Sequence, residues 1–261
     1  MVSKDLAALL AQRPLGLVFD IDGTLSPIAA TPGEAQLYPG VAGFLEQAKR
    51  YAHVAIITGR AVADGARMVN VAGLTYIGTH GLEWADGLPA DAPVHLRPEA
   101  MEYREVGKYL LDLAEQEHAP GVFIERKSVG GAIHYRLAPD PEQARQNILD
   151  LLEEPAQRGH MKLAEGKRVI EVRVPLQINK GHALRSFVQR YALQGVLFAG
   201  DDRTDIDALL EIEHLRAEGI QALGVAVQHA DTQAELLNHA DIVVQEVAGM
   251  AQLLSEIVNG F

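Results

Sequence analysis

Residues 15–25 read Leu15-Gly16-Leu17-Val18-Phe19-Asp20-Ile21-Asp22-Gly23-Thr24-Leu25, an apolar run that stops at two carboxylates and a glycine. An unbroken apolar run bounded by turn residues is the pattern of a strand buried on both faces of a parallel sheet, and its polar end marks where the strand opens into a site. Strand alternation puts Asp20 and Asp22 on one side of the chain with a single residue between them. Carboxylates so placed suit phosphoryl transfer. One attacks phosphorus and forms a covalent intermediate, while the other gives a proton to the leaving group and then takes one from water. Gly23 permits the sharp turn that brings main-chain N–H groups toward a phosphate. The plainer alternative is a strand-end turn whose aspartates cap a following helix.

Working outward, similar apolar runs at 53–60, 75–81, 195–202, 222–227 and 241–244 read as further strands. Helical patterns occupy 41–51, 61–70, 180–191, 205–217, 231–238 and 248–258. Strands alternating with helices predict an α/β fold with a doubly wound, mostly parallel, Rossmann-like sheet. The middle of the chain departs from this rhythm. A helical stretch over 98–118 precedes strand-like segments at 122–127 and 132–137, and a helix over 141–154 precedes strands at 161–164 and 168–174, with Glu165-Gly166 as the hairpin turn. This α-β-β-α-β-β order predicts an inserted α+β domain at 85–176, splitting the core into 1–84 and 177–261.

Three other strand or helix ends carry polar groups. Thr58-Gly59-Arg60 sets a hydroxyl and a guanidinium at the end of the second strand, where both can hold phosphate oxygens; a helix cap followed by a surface arginine has the same sequence. Asn179-Lys180-Gly181 opens the helix that returns the chain to the core, and Lys180 there can neutralise a phosphate and the attacking carboxylate. Gly200-Asp201-Asp202-Arg203-Thr204-Asp205 crowds three acids at one strand end, a costly arrangement without a nearby cation, and Mg²⁺ is the usual hard partner. Acidic residues also collect at helix N-termini. In an open α/β sheet the ligand crevice lies outside the carboxyl ends of the strands, where all four elements would meet.

Composition narrows the function classes. Of 261 residues 48% are hydrophobic, enough for a large core, and the formal net charge is −12 without a Lys/Arg-rich run, which speaks against nucleic-acid or anionic-membrane partners. With no cysteine there is no disulfide or thiolate chemistry, so a metal must be held by oxygen or imidazole. No G-x-G-x-x-G follows the first strand, as a dinucleotide site would require. Lys4, Asp5, Arg13 and Pro14 interrupt the apolar N-terminal residues, and no stretch approaches the ~20 apolar residues of a membrane helix. The expectation is a soluble, cytoplasmic protein acting on a small molecule, with its oligomeric state open and a monomer compatible.

The series DIDGTL, TGR, NKG and GDDRTD resembles the four-motif signature of the haloacid dehalogenase superfamily phosphatases. The resemblance implies Asp20 as nucleophile, Asp22 as general acid/base, and Thr58 and Lys180 as phosphate ligands. It implies Mg²⁺ on the Asp20 carboxylate, the Asp22 main-chain carbonyl and Asp201, with Asp202 and Asp205 orienting the metal, its waters or Lys180. The insertion is similar to the larger cap type of that superfamily. Gly78-Thr79-His80-Gly81-Leu82-Glu83, Ile124-Glu125-Arg126-Lys127, His134-Tyr135-Arg136 and Val169-Ile170-Glu171-Val172-Arg173 narrow the resemblance to the trehalose-6-phosphate phosphatase family. That likeness implies Glu125, Lys127 and Glu171 as sugar-binding residues, adds Arg60 and His80 as candidate substrate contacts, and implies Mg²⁺-dependent hydrolysis of trehalose 6-phosphate through an aspartyl-phosphate. The fourth motif departs from the family's T-D-E, since Asp205 is followed by Ile206-Asp207. A phosphatase for sucrose phosphate or mannosyl-3-phosphoglycerate, and a non-catalytic sugar-phosphate sensor, stand as alternatives.

Overall fold

The computed structural model describes residues 4–29, 32–117 and 119–261, which form two compact units, Met1–His95 with Ile178–Phe261, and Leu96–Gln177. In chain order the strands are β1 (Leu15–Phe19), β2 (His53–Ile57), β3 (Thr75–Gly78), β4 (Glu83–Asp86), β5 (His95–Leu96), β6 (Phe123–Arg126), β7 (Gly131–His134), β8 (Lys162–Gly166), β9 (Val169–Arg173), β10 (Gly195–Gly200), β11 (Gln221–Gln228) and β12 (Ile242–Gln245).

The first unit is built on a sheet of order β12-β11-β10-β1-β2-β3-β4-β5, whose strands from β12 through β3 pair in parallel. Alternate residues serve opposite faces. Leu17, Phe19, Ile56 and Val225 join one buried cluster with residues of helices Lys4–Leu10, Val41–Ala48 and Glu246–Asn259. Val18, Ala55, Phe198 and Ala226 join another with helices Lys180–Arg190 and Ile206–Ala217. Burial on both faces is why these strands read as unbroken apolar runs. The strands are shorter than their sequence patterns: β1 ends at Phe19 and β2 at Ile57, so the polar residues that follow sit in the connecting loops.

The second unit carries a four-stranded antiparallel sheet of order β6-β7-β9-β8. Ile133, Ile170 and Val172 are buried, as are Leu110, Leu111, Ile148 and Leu152 of helices Arg104–Gln116 and Pro141–Arg158, which pack on that sheet. The expected 98–118 helix is two pieces, Pro98–Met101 and Arg104–Gln116, and its expected end at His118 lies outside the described residues. Two expectations are corrected. The β8–β9 hairpin turns at Lys167-Arg168, not Glu165-Gly166, because Gly166 pairs with Val169 and Arg168 takes the left-handed φ of +65° that a tight turn needs. The second unit begins at Leu96 instead of 85, because β4 pairs antiparallel with β3 and β5 continues the same sheet beyond it.

Candidate functional site

Immediately past β1 the main chain of Asp20 still donates to the Ala199 carbonyl (2.9 Å), then turns back on itself as Thr24, Leu25 and Ser26 all donate to the Ile21 carbonyl. Gly23, at φ +86°, stands at the bend. A Cβ there would fall 2.0 Å from Asp201 Oδ2, so the absence of a side chain lets the Asp201 carboxylate lie against the loop. Thr24 Oγ1 donates to Asp201 Oδ1 at 3.2 Å and fixes it from the same loop.

Lys180 ties the motifs together. Its ammonium is 2% exposed and lies 2.9 Å from Asp20 Oδ1, 2.7 Å from Asp205 Oδ1 and 3.9 Å from Asp202 Oδ1. Burial alone would pull its pKa down, but the carboxylates of Asp20 and Asp205 outweigh that and raise it, so the ammonium stays charged. Asn179 caps this helix by accepting the His182 N–H, which sets Lys180 at its first turn. Asp205 spends both oxygens: Oδ1 on Lys180, and Oδ2 on the N–H groups of Asp201 and Asp202 at 3.0 Å each. Asp202 in turn accepts from Thr204 N and Oγ1 and from Asp205 N, a reciprocal capping box. Burial would raise Asp202, but Lys180 and these hydrogen bonds hold it below the ordinary aspartate value.

Asp20, Asp201 and Asp205 each place a carboxylate oxygen within 4.8 Å of the others, and all three are buried. Burial first, then the neighbouring carboxylates, push Asp201 up to about 7; burial does the same for Asp20 against the pull of Lys180. Oxygen donors compressed in this way fit a hard divalent cation. Since both oxygens of Asp205 are engaged, Asp20 and Asp201 are the pair left to face such an ion.

Arg60 is placed by the structure on Asp22, with Nε and Nη2 each 2.6 Å from a carboxylate oxygen, a bidentate pair. Thr58 is 3% exposed, and its Oγ1 accepts the Arg60 N–H at 3.2 Å. His80 folds over this turn. Thr79 and His80 both take left-handed φ values (+49° and +55°), their N–H groups donate to the Arg60 and Thr58 carbonyls, and the His80 ring covers Gly59, where a Cβ would come within 2.8 Å of it. Buried Glu83 joins the two loops by accepting from Thr79 Oγ1 (2.8 Å) and Val62 N (3.1 Å).

His229, absent from the sequence reading, follows β11 and reaches the Gly23 carbonyl with Nε2 at 2.7 Å, with Nδ1 2.7 Å from Glu246. Burial opposes its positive charge, but these acceptors and Asp201 prevail and raise its pKa. No local motif marks it, since its partners lie 206 and 17 residues away.

In the second unit, Glu125 and Glu171 share one row of the sheet, each directly opposite Ala132, and His134 Nε2 is 3.2 Å from Glu125. Lys127 approaches Glu125 at 4.0 Å, and Glu171 pairs with Arg173. The structure thus brings the three expected sugar ligands onto or beside one face of that sheet.

Comparison with known proteins places this constellation. The trehalose-phosphatase family model matches residues 18–240. The chain belongs to the trehalose-phosphatase family. Trehalose-phosphate phosphatase of Mycobacterium leprae is 30% identical over 244 residues, covering 85% of this chain and 52% of the relative. The chain spans about half the length of the curated relatives it matches. Among solved structures, trehalose-6-phosphate phosphatase of Aspergillus fumigatus is 28% identical with a TM-score of 0.63, covering 98% of this chain and 97% of that one. A haloacid dehalogenase-like hydrolase from Bacteroides thetaiotaomicron, 16% identical with a TM-score of 0.63 over 94% of this chain and all (100%) of that one, shares the fold. As in the sequence reading, this member of the family has a mixed α/β core of the haloacid dehalogenase type. No helix among its described residues is long and apolar enough to cross a membrane.

Proposed function

We propose that this chain hydrolyses trehalose 6-phosphate to trehalose and phosphate through an aspartyl-phosphate on Asp20, with Mg²⁺ as cofactor. The observation that carries the reading is the buried ammonium of Lys180 held between Asp20 and Asp205 at 2.9 and 2.7 Å, beside Asp201. Burial pushes Asp20 up to about 7 even against the pull of Lys180, so the carboxylate is a ready nucleophile only where positive charge favours its ionised form, and Lys180 supplies part of that charge without competing for the proton. Mg²⁺ on the Asp20 and Asp201 carboxylates and the Asp22 main-chain carbonyl would supply the remaining positive charge for the phosphoryl oxygens.

In the first step an Asp20 oxygen bonds to phosphorus, the bond from phosphorus to the sugar oxygen breaks, and Asp22 hands that oxygen its proton. In the second, Asp22 takes a proton from water, the water oxygen bonds to phosphorus, and Asp20 leaves as carboxylate. The bidentate Arg60 pair orients the Asp22 carboxylate for the second step, and in the first step the carboxyl turns from the guanidinium to the sugar oxygen. The Thr58 hydroxyl, accepting from the Arg60 N–H, keeps its own proton for a phosphate oxygen. Lys180 serves the same phosphate together with the N-terminus of its helix. Asp202 and Asp205 orient Lys180 and the Asp201 loop, Arg60 and His80 shape the phosphate turn, and the inserted unit acts as a cap that grips the sugar hydroxyls with Glu125, Lys127 and Glu171.

Phosphate release from trehalose 6-phosphate, glucose 6-phosphate and sucrose 6-phosphate, each with Mg²⁺ and with EDTA, tests this reading. Metal-dependent release confined to the trehalose ester is expected. Preference for another ester replaces the substrate and keeps the chemistry, and release from none removes the enzymatic reading.

A further inference from the structure

The loop carrying Asp20 and Asp22 is secured from outside its own motif. Both ring nitrogens of His229 face acceptors, Nε2 the Gly23 carbonyl and Nδ1 the Glu246 carboxylate, each at 2.7 Å. The ring is largely buried, and its Nε2 lies 3.8 Å from Asp201 Oδ2. The main chain of His229 is fixed as well, its N–H donating to Thr232 Oγ1 at 2.7 Å. Glu246 takes a φ of +56° at the start of helix Glu246–Asn259, a conformation that costs a non-glycine residue energy and that persists where surrounding contacts over-determine it. Its carboxylate ends on His229.

The point this device grips is the loop's one glycine. Gly23 alone in the turn has the full freedom of a residue without Cβ, and the peptide that follows it carries Thr24, whose hydroxyl sets Asp201 Oδ1. A displacement of the Gly23 carbonyl would therefore move Thr24 and loosen Asp201. We infer that His229, held by Glu246, is a positioning residue that fixes the Gly23 carbonyl against the Asp201 carboxylate and thereby sets the spacing of the Asp20–Asp201 pair toward a divalent cation. The metal half of this statement rests on the Mg²⁺ reading above; the clamp on the loop does not. Groups that orient a metal-binding carboxylate without touching the ion typically change metal affinity by about 10–100-fold when removed.

A competing effect has the opposite sign, because a positively charged ring beside Asp201 repels an incoming cation. Substitutions in the full chain separate the two. With metal absent, His229→Ala is expected to speed amide hydrogen exchange at Gly23, Leu25 and Ser26 about tenfold, while amides of β2 stay at parental rates. By calorimetry the same variant is expected to weaken Mg²⁺ binding about tenfold, with KM for the sugar phosphate unchanged. His229→Gln keeps a donor for the Gly23 carbonyl and is expected to stay within about threefold of the parent in both measurements. Glu246→Ala, on an exposed side chain, is expected to shift both in the same direction by less. Parental exchange at Gly23 in His229→Ala overturns the clamp, and Mg²⁺ binding at or above parental strength overturns the positioning role in favour of charge repulsion. If His229→Ala does not fold, unchanged exchange in Glu246→Ala overturns the proposal instead. A parent that binds no Mg²⁺ refutes the metal reading, while the metal-free exchange still decides the clamp.

Discussion

Carboxylates stand beside ammonium groups both at the carboxyl end of the core sheet and on the open row of the inserted sheet, in opposite physical settings. In the core, Lys180 and Asp205 are 2% and 0% exposed and touch at 2.7 Å, with every oxygen of Asp205 committed. On the inserted sheet, Glu125 is 23% exposed and Lys127 stands 4.0 Å away. Desolvated charges persist only when their partners fix them in one geometry, so the core arrangement is set before any ligand arrives. At 4.0 Å the Lys127 ammonium and the Glu125 carboxylate are out of hydrogen-bond contact, so this pair is held less tightly than the one in the core. Under the proposed function, chemistry and sugar recognition therefore fall in different units of the chain.

The contrast is tested most severely at Asp20. Asp20→Asn is expected to lower phosphate release about 10³-fold or more on trehalose 6-phosphate and on 4-nitrophenyl phosphate alike. Near-parental rates on either substrate would sink the covalent mechanism.

Next in size is stability. Asp205→Asn removes one partner of a buried pair and turns an amide toward existing donors, so denaturant unfolding should show a loss of about 3–5 kcal/mol. Glu125→Gln in the second unit should cost about 0–1 kcal/mol. Equal losses at the two positions would erase the distinction between the regions.

A smaller and more selective effect is expected on the inserted sheet. Glu125→Ala or Glu171→Ala should cut kcat/KM for trehalose 6-phosphate about 10–100-fold and for 4-nitrophenyl phosphate less than about twofold. Equal losses on both esters would show that these carboxylates support the unit's fold.

The mildest test is of pH. Asp20 and Asp201, raised by burial to about 7 in the metal-free site, bind protons in the folded chain that the unfolded chain has lost above its ordinary aspartate pKa. Their contribution to stability is therefore present at low pH and lost as pH rises through about 7. Metal binding needs both deprotonated, so the Tm gain from saturating Mg²⁺ should be greater near pH 8 than near pH 6, about a unit either side of those pKa values. An equal gain at both would show that the ion binds elsewhere.

Much of the site was legible because its parts are local. Asp20, Thr58, Lys180 and Asp201 each follow a strand or open a helix within a few residues of a recognisable apolar pattern, and the topology carries those ends to one edge. Other features leave no such trace. The bidentate match of Arg60 to Asp22, 38 residues away, has no local signature. Glu165-Gly166 carries the composition of a turn, yet the register of β8 with β9 moves the turn two residues on. β4, Glu83-Trp84-Ala85-Asp86, went unread because it begins and ends on an acid and has no apolar run to mark it.

The sequence by itself determined the α/β core, the inserted α+β unit and the residues offered at the strand ends, since hydrophobic period and turn chemistry are properties of neighbours along the chain. Tertiary structure alone decided the pairings: Lys180 between Asp20 and Asp205, Arg60 on Asp22, and His229 on Gly23 with Glu246 behind it. Hydrogen bonds and ion pairs depend on ångström distances between groups tens to hundreds of residues apart, and those distances exist only once the sheet has brought the ends of its strands together.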